Sequence, residues 1–144
     1  MKVLLLGSLG NMGKRYQAIL DHLNVSYLAL DADWKSQLLP GDFFDCRKII
    51  IATPTGTHVD IIRKLIALKP EQVRFPDILC EKPISKSVSE TMQVFDLAKQ
   101  FEVNLYMVNQ YCFLPCASQF KEMRAHSKYN YFNSGKDGIH WDCI

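Results

Sequence analysis

The chain has 144 residues, 48% of them hydrophobic and 22% charged, with 17 Lys and Arg against 15 Asp and Glu for a net charge of +2. That length is one domain by size and buries about 68–70% of its unfolded surface, enough for a full core. The near-balanced charge leaves no electrostatic footprint for nucleic acid, and no stretch approaches the roughly 20 apolar residues of a membrane span.

The opening "MKVLLLGSLG" superficially resembles a secretion signal. Its apolar run, Val3 to Leu6, falls short of the roughly 7–15 residues such a signal needs, and a glycine stretch follows instead of a cleavage site. The five cysteines are odd in number and contain no C-x-x-C. They read as free thiols in a reducing cytosol. Cys112 and Cys116 stand four apart without a histidine pair, so no zinc site is expected. The expected compartment is the cytoplasm.

Lys2 to Leu6 is a continuous apolar run, suited to a strand covered on both faces. Gly7 to Gly13 follows. Met12, Tyr16, Ile19, Leu20 and Leu23 then recur at three and four residues, which predicts a helix. Val25 to Leu30 predicts a second strand ending in Asp31. Strand, glycine turn, helix, strand is a βαβ unit.

The glycine loop fits the dinucleotide fingerprint G-x-G-x-x-G as Ser8-Leu9-Gly10-Asn11-Met12-Gly13, with Ser8 where the first glycine belongs and Gly7 one residue early. Gly10 allows a pyrophosphate close to the backbone, and Gly13 allows the helix close to the sheet. The helix N-terminus offers N–H groups and a partial positive charge to the phosphates. Asp31 lies 18 residues after Gly13, near the roughly 20 expected of an acid that binds a ribose hydroxyl. An acid there favours NAD, because it repels a 2′-phosphate. The same residues also read as a tight turn without a ligand. Folds that bind S-adenosylmethionine use a glycine loop plus an acid too, so this feature alone leaves the cofactor class open.

Asp33 to Cys46 is compressed for a doubly wound fold. Pro40-Gly41 is a turn, with a short helix expected before it and a minimal strand after it. Lys48 to Ala52, "KIIIA", predicts a strand. "TPTGTH" leads to a helix from about His58 to Leu68, with Val59, Ile62, Leu65 and Ile66 inward. Asp77 to Cys80 predicts the next strand. Ser87-Val88-Ser89-Glu90 is a capping box opening a helix whose buried side is Met92, Phe95, Leu97, Ala98 and Phe101. Asn104 to Val108 predicts another strand, and Pro115 a helix to about His126. The alternation predicts an α/β fold, a doubly wound and mostly parallel sheet with helices on both faces.

"LCEKPIS", residues 79–85, ends a core strand in Glu81-Lys82-Pro83. Turn chemistry alone does not need those charges. Taken with "IIIATPTGTHVDII", this segment makes the chain resemble the N-terminal domain of the glucose–fructose oxidoreductase / inositol dehydrogenase / MocA family. The resemblance rests on the glycine loop, Ala52-Thr53-Pro54 with His58, Glu81-Lys82-Pro83 and Phe113-Leu114-Pro115, in that order, over roughly residues 1–126. It implies a Rossmann-like NAD(P)-binding domain over 1–126. It also implies that Ser8, Leu9, Gly10, Asn11, Met12 and Gly13 line the pyrophosphate loop and that Asp31 meets the adenosine ribose. Ala52, Thr53, Pro54 and His58 would border the cofactor, and Glu81 would hold its nicotinamide half. Lys82 would be the catalytic residue, facing the reacting carbon and the substrate oxygen. No metal is implied. Read without a ligand, Glu81-Lys82 is a surface pair before a proline turn, and His58 starts or caps its helix.

The family's second domain carries substrate contacts and a D-x-x-x-H pair. Here only "GIHWDCI" resembles the start of that element, with Asp142 at the Asp position and no matching His. Residues 127–144 therefore read as a remnant of the second domain, and the chain as cut short. Two expectations follow. One is an NAD-dependent oxidoreductase, NADP remaining possible, or a truncated form of one, that moves hydride between the nicotinamide cofactor and a sugar- or polyol-like hydroxyl. The other is a dinucleotide-binding module or subunit without catalysis. A shortened chain would expose a face meant to be covered, which makes a homo-oligomer plausible.

Overall fold

A computed structural model of the chain describes residues 2–37, 43, 45–69 and 74–109. The chain divides into two compact units, residues 1–107 and 108–144, and every element below lies in the first. The expected helix from Pro115, the Phe113-Leu114-Pro115 motif and the "GIHWDCI" segment lie outside the described residues.

The elements are β1 (Lys2–Leu6), α1 (Asn11–His22), β2 (Ser26–Leu30), α2 (Trp34–Gln37), β3 (Cys46–Ile51), α3 (Thr55–Ala67), β4 (Asp77–Cys80), α4 (Val88–Gln100) and β5 (Leu105–Met107). The five strands form one sheet in the order β2-β1-β3-β4-β5, with every pairing parallel. The strand order reverses between β1 and β3. In open α/β sheets that reversal opens a crevice outside the carboxyl ends of the strands.

Leu4, Leu5 and Leu6 have no exposed surface, as a central strand covered on both faces requires. Alternation splits β1 between two cores. Val3 and Leu5 pack with Leu20 of α1, Ile50 and Ala52 on one face. Leu4 and Leu6 pack with Ile49, Ile51, Val59, Ile62 and Leu65 on the other, where Val94 and Ala98 of α4 join them. Each such leucine contributes about 1.5–3 kcal/mol by burial.

Several local expectations change. α3 begins at Thr55, with Pro54 as its N-cap, three residues before His58. Pro54 has no N–H to satisfy, so the helix can start directly after it. The minimal strand expected after Pro40-Gly41 is absent at the two described residues there, Phe43 and Asp45, which are helical. That lets the Phe43 ring pack edge-on to Phe75, with centroids 5.4 Å apart. On α4, Val94 and Ala98 are the buried residues, whereas Met92 and Phe101 are exposed. Ala98 lets α4 lie close to its neighbours, so the stripe centres on small residues. On α1, Ile19 and Leu23 are likewise exposed. The capping box is half built. The Ser87 hydroxyl accepts from the Glu90 N–H at 3.3 Å, but the Glu90 carboxylate accepts from the Ser85 hydroxyl. Ser85 in turn accepts the Ser87 N–H at 3.1 Å, so a relay replaces the direct bond. Among the described residues, no helix is long and apolar enough to cross a membrane.

Candidate functional site at the carboxyl edge of the sheet

The register defines the site. Leu30, Leu6, Ile51, Cys80 and Met107 stand side by side as the last row of the sheet. The next residues on four of these strands are Asp31, Gly7, Ala52 and Glu81. Four sequence-predicted segments thus open onto one edge. Three strand spacings of about 4.8 Å put roughly 14 Å between the β2 and β4 ends.

The glycine loop is held from three sides. The Gly7 and Ser8 N–H groups donate to the Leu30 carbonyl at 2.9 and 3.1 Å, and the Gly10 N–H donates to the Gly7 carbonyl at 3.2 Å. The Leu9 N–H donates to Asp31 Oδ2 at 2.8 Å, and the Ala32 N–H donates to Oδ1 at 3.0 Å. Gln17 Nε2 donates to the Ser8 carbonyl at 2.8 Å. Ser8 is buried, and Leu9 is 72% exposed.

The three glycines do different work. Gly7 has φ +87°, a left-handed conformation that disfavours a side chain, and a Cβ there would lie 2.7 Å from the Ala52 backbone. At Gly13 a Cβ would sit 2.1 Å from the Gly7 carbonyl oxygen, so α1 can cross the loop only as glycine. At Gly10 a Cβ would meet the Gly7 and Ala52 carbonyl oxygens only at 3.5 and 3.8 Å, ordinary contact distances. Its φ of −70° suits any residue, and no side chain caps α1 there. Among the described residues, nothing requires a glycine at position 10. The bare backbone of Gly10 stands at the N-terminus of α1, where first-turn N–H groups can meet an anion.

Ala52 and Thr53 follow β3, and the Ala52 N–H donates to the Leu6 carbonyl at 2.8 Å. The Thr57 hydroxyl bonds to Thr53 Oγ1 at 2.9 Å and to the Pro54 carbonyl at 2.8 Å. His58 falls in the first turn of α3 and is 1% exposed. Its Nε2 lies 2.7 Å from the Thr53 carbonyl oxygen and its Nδ1 lies 2.9 Å from that of Pro83. Carbonyl oxygens only accept, so a neutral ring donates to one of them and a doubly protonated ring to both. The ring sits between the loop after β3 and the loop after β4, and its doubly protonated form ties the two together.

Glu81 is buried at 8% exposure. Its Oε1 accepts the Tyr16 hydroxyl at 2.7 Å, and its Oε2 accepts the Lys82 N–H at 3.2 Å. Its own N–H donates to the Ile51 carbonyl at 2.9 Å. Burial raises the Tyr16 pKa well above the ordinary phenol value, and the hydrogen bond to Glu81 and its charge add to this, so the hydroxyl keeps its proton and stays a donor. Lys82 is half-buried, at the carboxyl edge, and the Lys82–Pro83 peptide bond is cis.

Sequence reasoning missed Tyr16 and Gln17 as parts of the site. Tyr16 was counted among the apolar face of α1. The signal was its hydroxyl, since a phenol on a buried face needs a partner.

The profile of an oxidoreductase family with an NAD-binding Rossmann fold, Gfo/Idh/MocA, matches residues 9–110. The chain belongs to this family. Two curated members are similar to it. The rhizopine catabolism protein MocA of Rhizobium meliloti is 29% identical over 109 residues, which are 73% of this chain and 32% of that protein. The D-xylose 1-dehydrogenase (NADP(+)) 2 of Haloferax volcanii is 32% identical over 116 residues, 77% and 31% of the two chains. Among solved structures, a Gfo/Idh/MocA family oxidoreductase from Vibrio cholerae superposes with a TM-score of 0.66 at 16% identity, over 87% of this chain and 43% of that one. The WlbA dehydrogenase of Thermus thermophilus, in complex with NAD and UDP-GlcNAcA, gives 0.65 at 16% identity over 90% and 48%. The chain spans about a third of the length of the curated relatives it matches and less than half of these structures. As a Gfo/Idh/MocA domain it is an NAD-binding Rossmann domain.

Proposed function

We propose that this domain binds NAD(H) across the carboxyl edge of the sheet, with its reacting end at Lys82, and serves hydride exchange with a sugar- or polyol-like hydroxyl. The observation that carries the reading is Gly10, bare at the start of α1 without a reason in the fold, with Asp31 and Lys82 on opposite sides of it along one edge. Asn11, Met12 and Gly13 would offer the pyrophosphate the backbone N–H groups of the first turn of α1, while Ser8, Leu9 and Gly10, whose N–H groups are engaged within the fold, would shape the loop around it. Asp31 would accept from the adenosine ribose with lone pairs that Leu9 and Ala32 leave over. Ala52, Thr53 and Pro54 would border the cofactor where β3 ends.

The cofactor, when bound, accepts or supplies the hydride. The Lys82 ammonium would donate to the substrate oxygen. That oxygen gains negative charge as hydride leaves its carbon, and a donor already in place stabilises the charge. Glu81, fixed by Tyr16, would act behind Lys82 by holding its backbone. The names of two relatives support the sugar class: one is a D-xylose dehydrogenase and another was solved with UDP-GlcNAcA. Asp31 supports NAD over NADP, because a carboxylate at the end of β2 would repel a 2′-phosphate.

A second reading, a dinucleotide-binding module that does no chemistry alone, has the same cofactor site and lacks only turnover. Calorimetric titration with NADH and NADPH, on the protein and on Lys82→Ala, tests the proposal. Saturable NADH binding, weaker NADPH binding and a Lys82→Ala affinity within about threefold of the parent are expected, since Lys82 serves the reacting end. Absence of NADH binding would sink the proposal. Turnover with a panel of sugars and polyols, abolished by Lys82→Ala, separates the enzyme from the module.

A further inference from the structure

We infer that Tyr16 and His58 are positioning residues for Lys82, acting on the residues either side of it. The inference rests on the reading of Lys82 as the group that meets the substrate oxygen. Tyr16 reaches from α1 to Glu81 across 65 residues of sequence. His58 reaches from α3 to the Pro83 carbonyl across 25. Lys82 itself has a long, flexible side chain, so its reach is defined only if its backbone is held. A misplacement of about 1 Å at such a site lowers rates on the order of a hundredfold.

Packing alone does not explain either residue. A phenylalanine would fill the Tyr16 site but leave Glu81 Oε1 without its donor, and a buried carboxylate needs its oxygens satisfied. A leucine would suit a 1% exposed position on the inner face of α3. His58 is there instead, with both ring nitrogens on carbonyl oxygens of two different loops. The two helices involved are the ones that open at the glycine loop and at the Thr53-Pro54 turn. Each sends one side chain from its first turns to a neighbour of Lys82. The turns that would hold the cofactor and the loop that carries Lys82 are thereby joined through two short, directional links.

Tyr16→Phe removes a single oxygen, and His58→Gln keeps one donor and one acceptor. Amide exchange, read residue by residue by NMR, is the first measurement. In each variant the Lys82, Ile84 and Ser85 amides should exchange about tenfold faster, with the Leu4, Leu5 and Ile50 amides unchanged. The second is acylation of the Lys82 amine with and without NADH. Protection by NADH should fall at least about threefold in both variants, with the NADH dissociation constant of Tyr16→Phe changed by less than about threefold. A purely structural role predicts that loop and core amides accelerate together and that Lys82 protection tracks affinity. Either result overturns the inference, as does a Tyr16→Phe protein with unchanged loop exchange. If His58→Gln does not fold, Tyr16→Phe decides alone. Absence of NADH binding with faster exchange confined to the loop would sink the proposed function, and the positioning role with it, and leave Tyr16 and His58 only as tethers of the Lys82 loop.

Discussion

The Asp31 carboxylate accepts the Leu9 N–H at 2.8 Å, so the acid at the end of β2 holds the glycine loop in place before any ligand arrives. This gives Asp31 two roles that substitution can separate. Asp31→Asn keeps a carbonyl oxygen for Leu9 and removes the charge. Its preference for NADH over NADPH should relax by about tenfold, with stability within about 0.5 kcal/mol of the parent. Asp31→Ala loses both loop bonds and should also lose about 1 kcal/mol of stability. Urea unfolding beside cofactor titration reads both effects. An Asn variant with unchanged discrimination would remove Asp31 from the ribose site.

Gly13 and Gly10 should respond oppositely to alanine. Gly13→Ala forces a Cβ to 2.1 Å from the Gly7 carbonyl oxygen and 2.8 Å from Ser8. Backbone must move, at a cost of about 3 kcal/mol or more. Among the described residues Gly10→Ala meets nothing closer than 3.5 Å, and it should fold with a stability change within about 1 kcal/mol, while NADH affinity drops about tenfold or more. Thermal unfolding and titration of the two variants give the comparison. Equal cofactor affinity in Gly10→Ala and parent would show that no phosphate approaches the Gly10 backbone.

Cys80 ends β4 beside Glu81, yet it should be chemically quiet. Burial raises its thiol pKa far above the free value, and the Glu81 charge adds to the shift. At pH 8 with iodoacetamide, peptide mass mapping should find Cys80 unmodified in the folded protein and modified only once urea unfolds it. Cys46 is buried too and should follow the same course. Alkylation of native Cys80 at the rate of a free thiol would contradict its burial.

Asp77, at the other end of β4, sets an acid-side limit on stability. Its carboxylate accepts from Asn104 Nδ2 at 3.0 Å and pairs with Lys48 Nζ at 3.0 Å. The Asn104 bond first, and Lys48 next, lower its pKa. A lowered folded-state pKa stabilises above the free carboxylate value of about 3.9, and that contribution is lost as pH falls through the folded value. Asp77→Asn should therefore be less stable than the parent at pH 6, by about 0.5–1 kcal/mol. The gap should close below about pH 4. Chemical unfolding across pH 2.5–6 measures it, and a pH-independent gap would rule this origin out.

The strands and the glycine turn were legible because their signals are local. A run such as "KVLLL" has one way to be buried on both faces, and Gly7 to Gly13 sits directly between strand and helix periodicity. The helix faces were less legible. Met92 and Phe101 obey the α4 periodicity but end outside, because which stripe turns inward depends on the neighbours it packs against. His58 shows the same limit. The family resemblance marked it as part of the region, and only the fold shows its two ring nitrogens each facing a carbonyl oxygen. The Glu90 side chain, expected on Ser87, turns to Ser85 because the loop after Pro83 brings that hydroxyl closer.

The order of strands and helices along the chain and the glycine turn between β1 and α1 were written in the sequence, since each depends on residues within a few positions of one another. The tertiary structure decided what joins those places. The row Leu30-Leu6-Ile51-Cys80, the Tyr16–Glu81 bond and the His58 bridge all link residues far apart in the chain. They arise only when parallel pairing aligns the strand ends on one edge, because hydrogen bonds of this reach are set by strand register and helix packing rather than by local propensity.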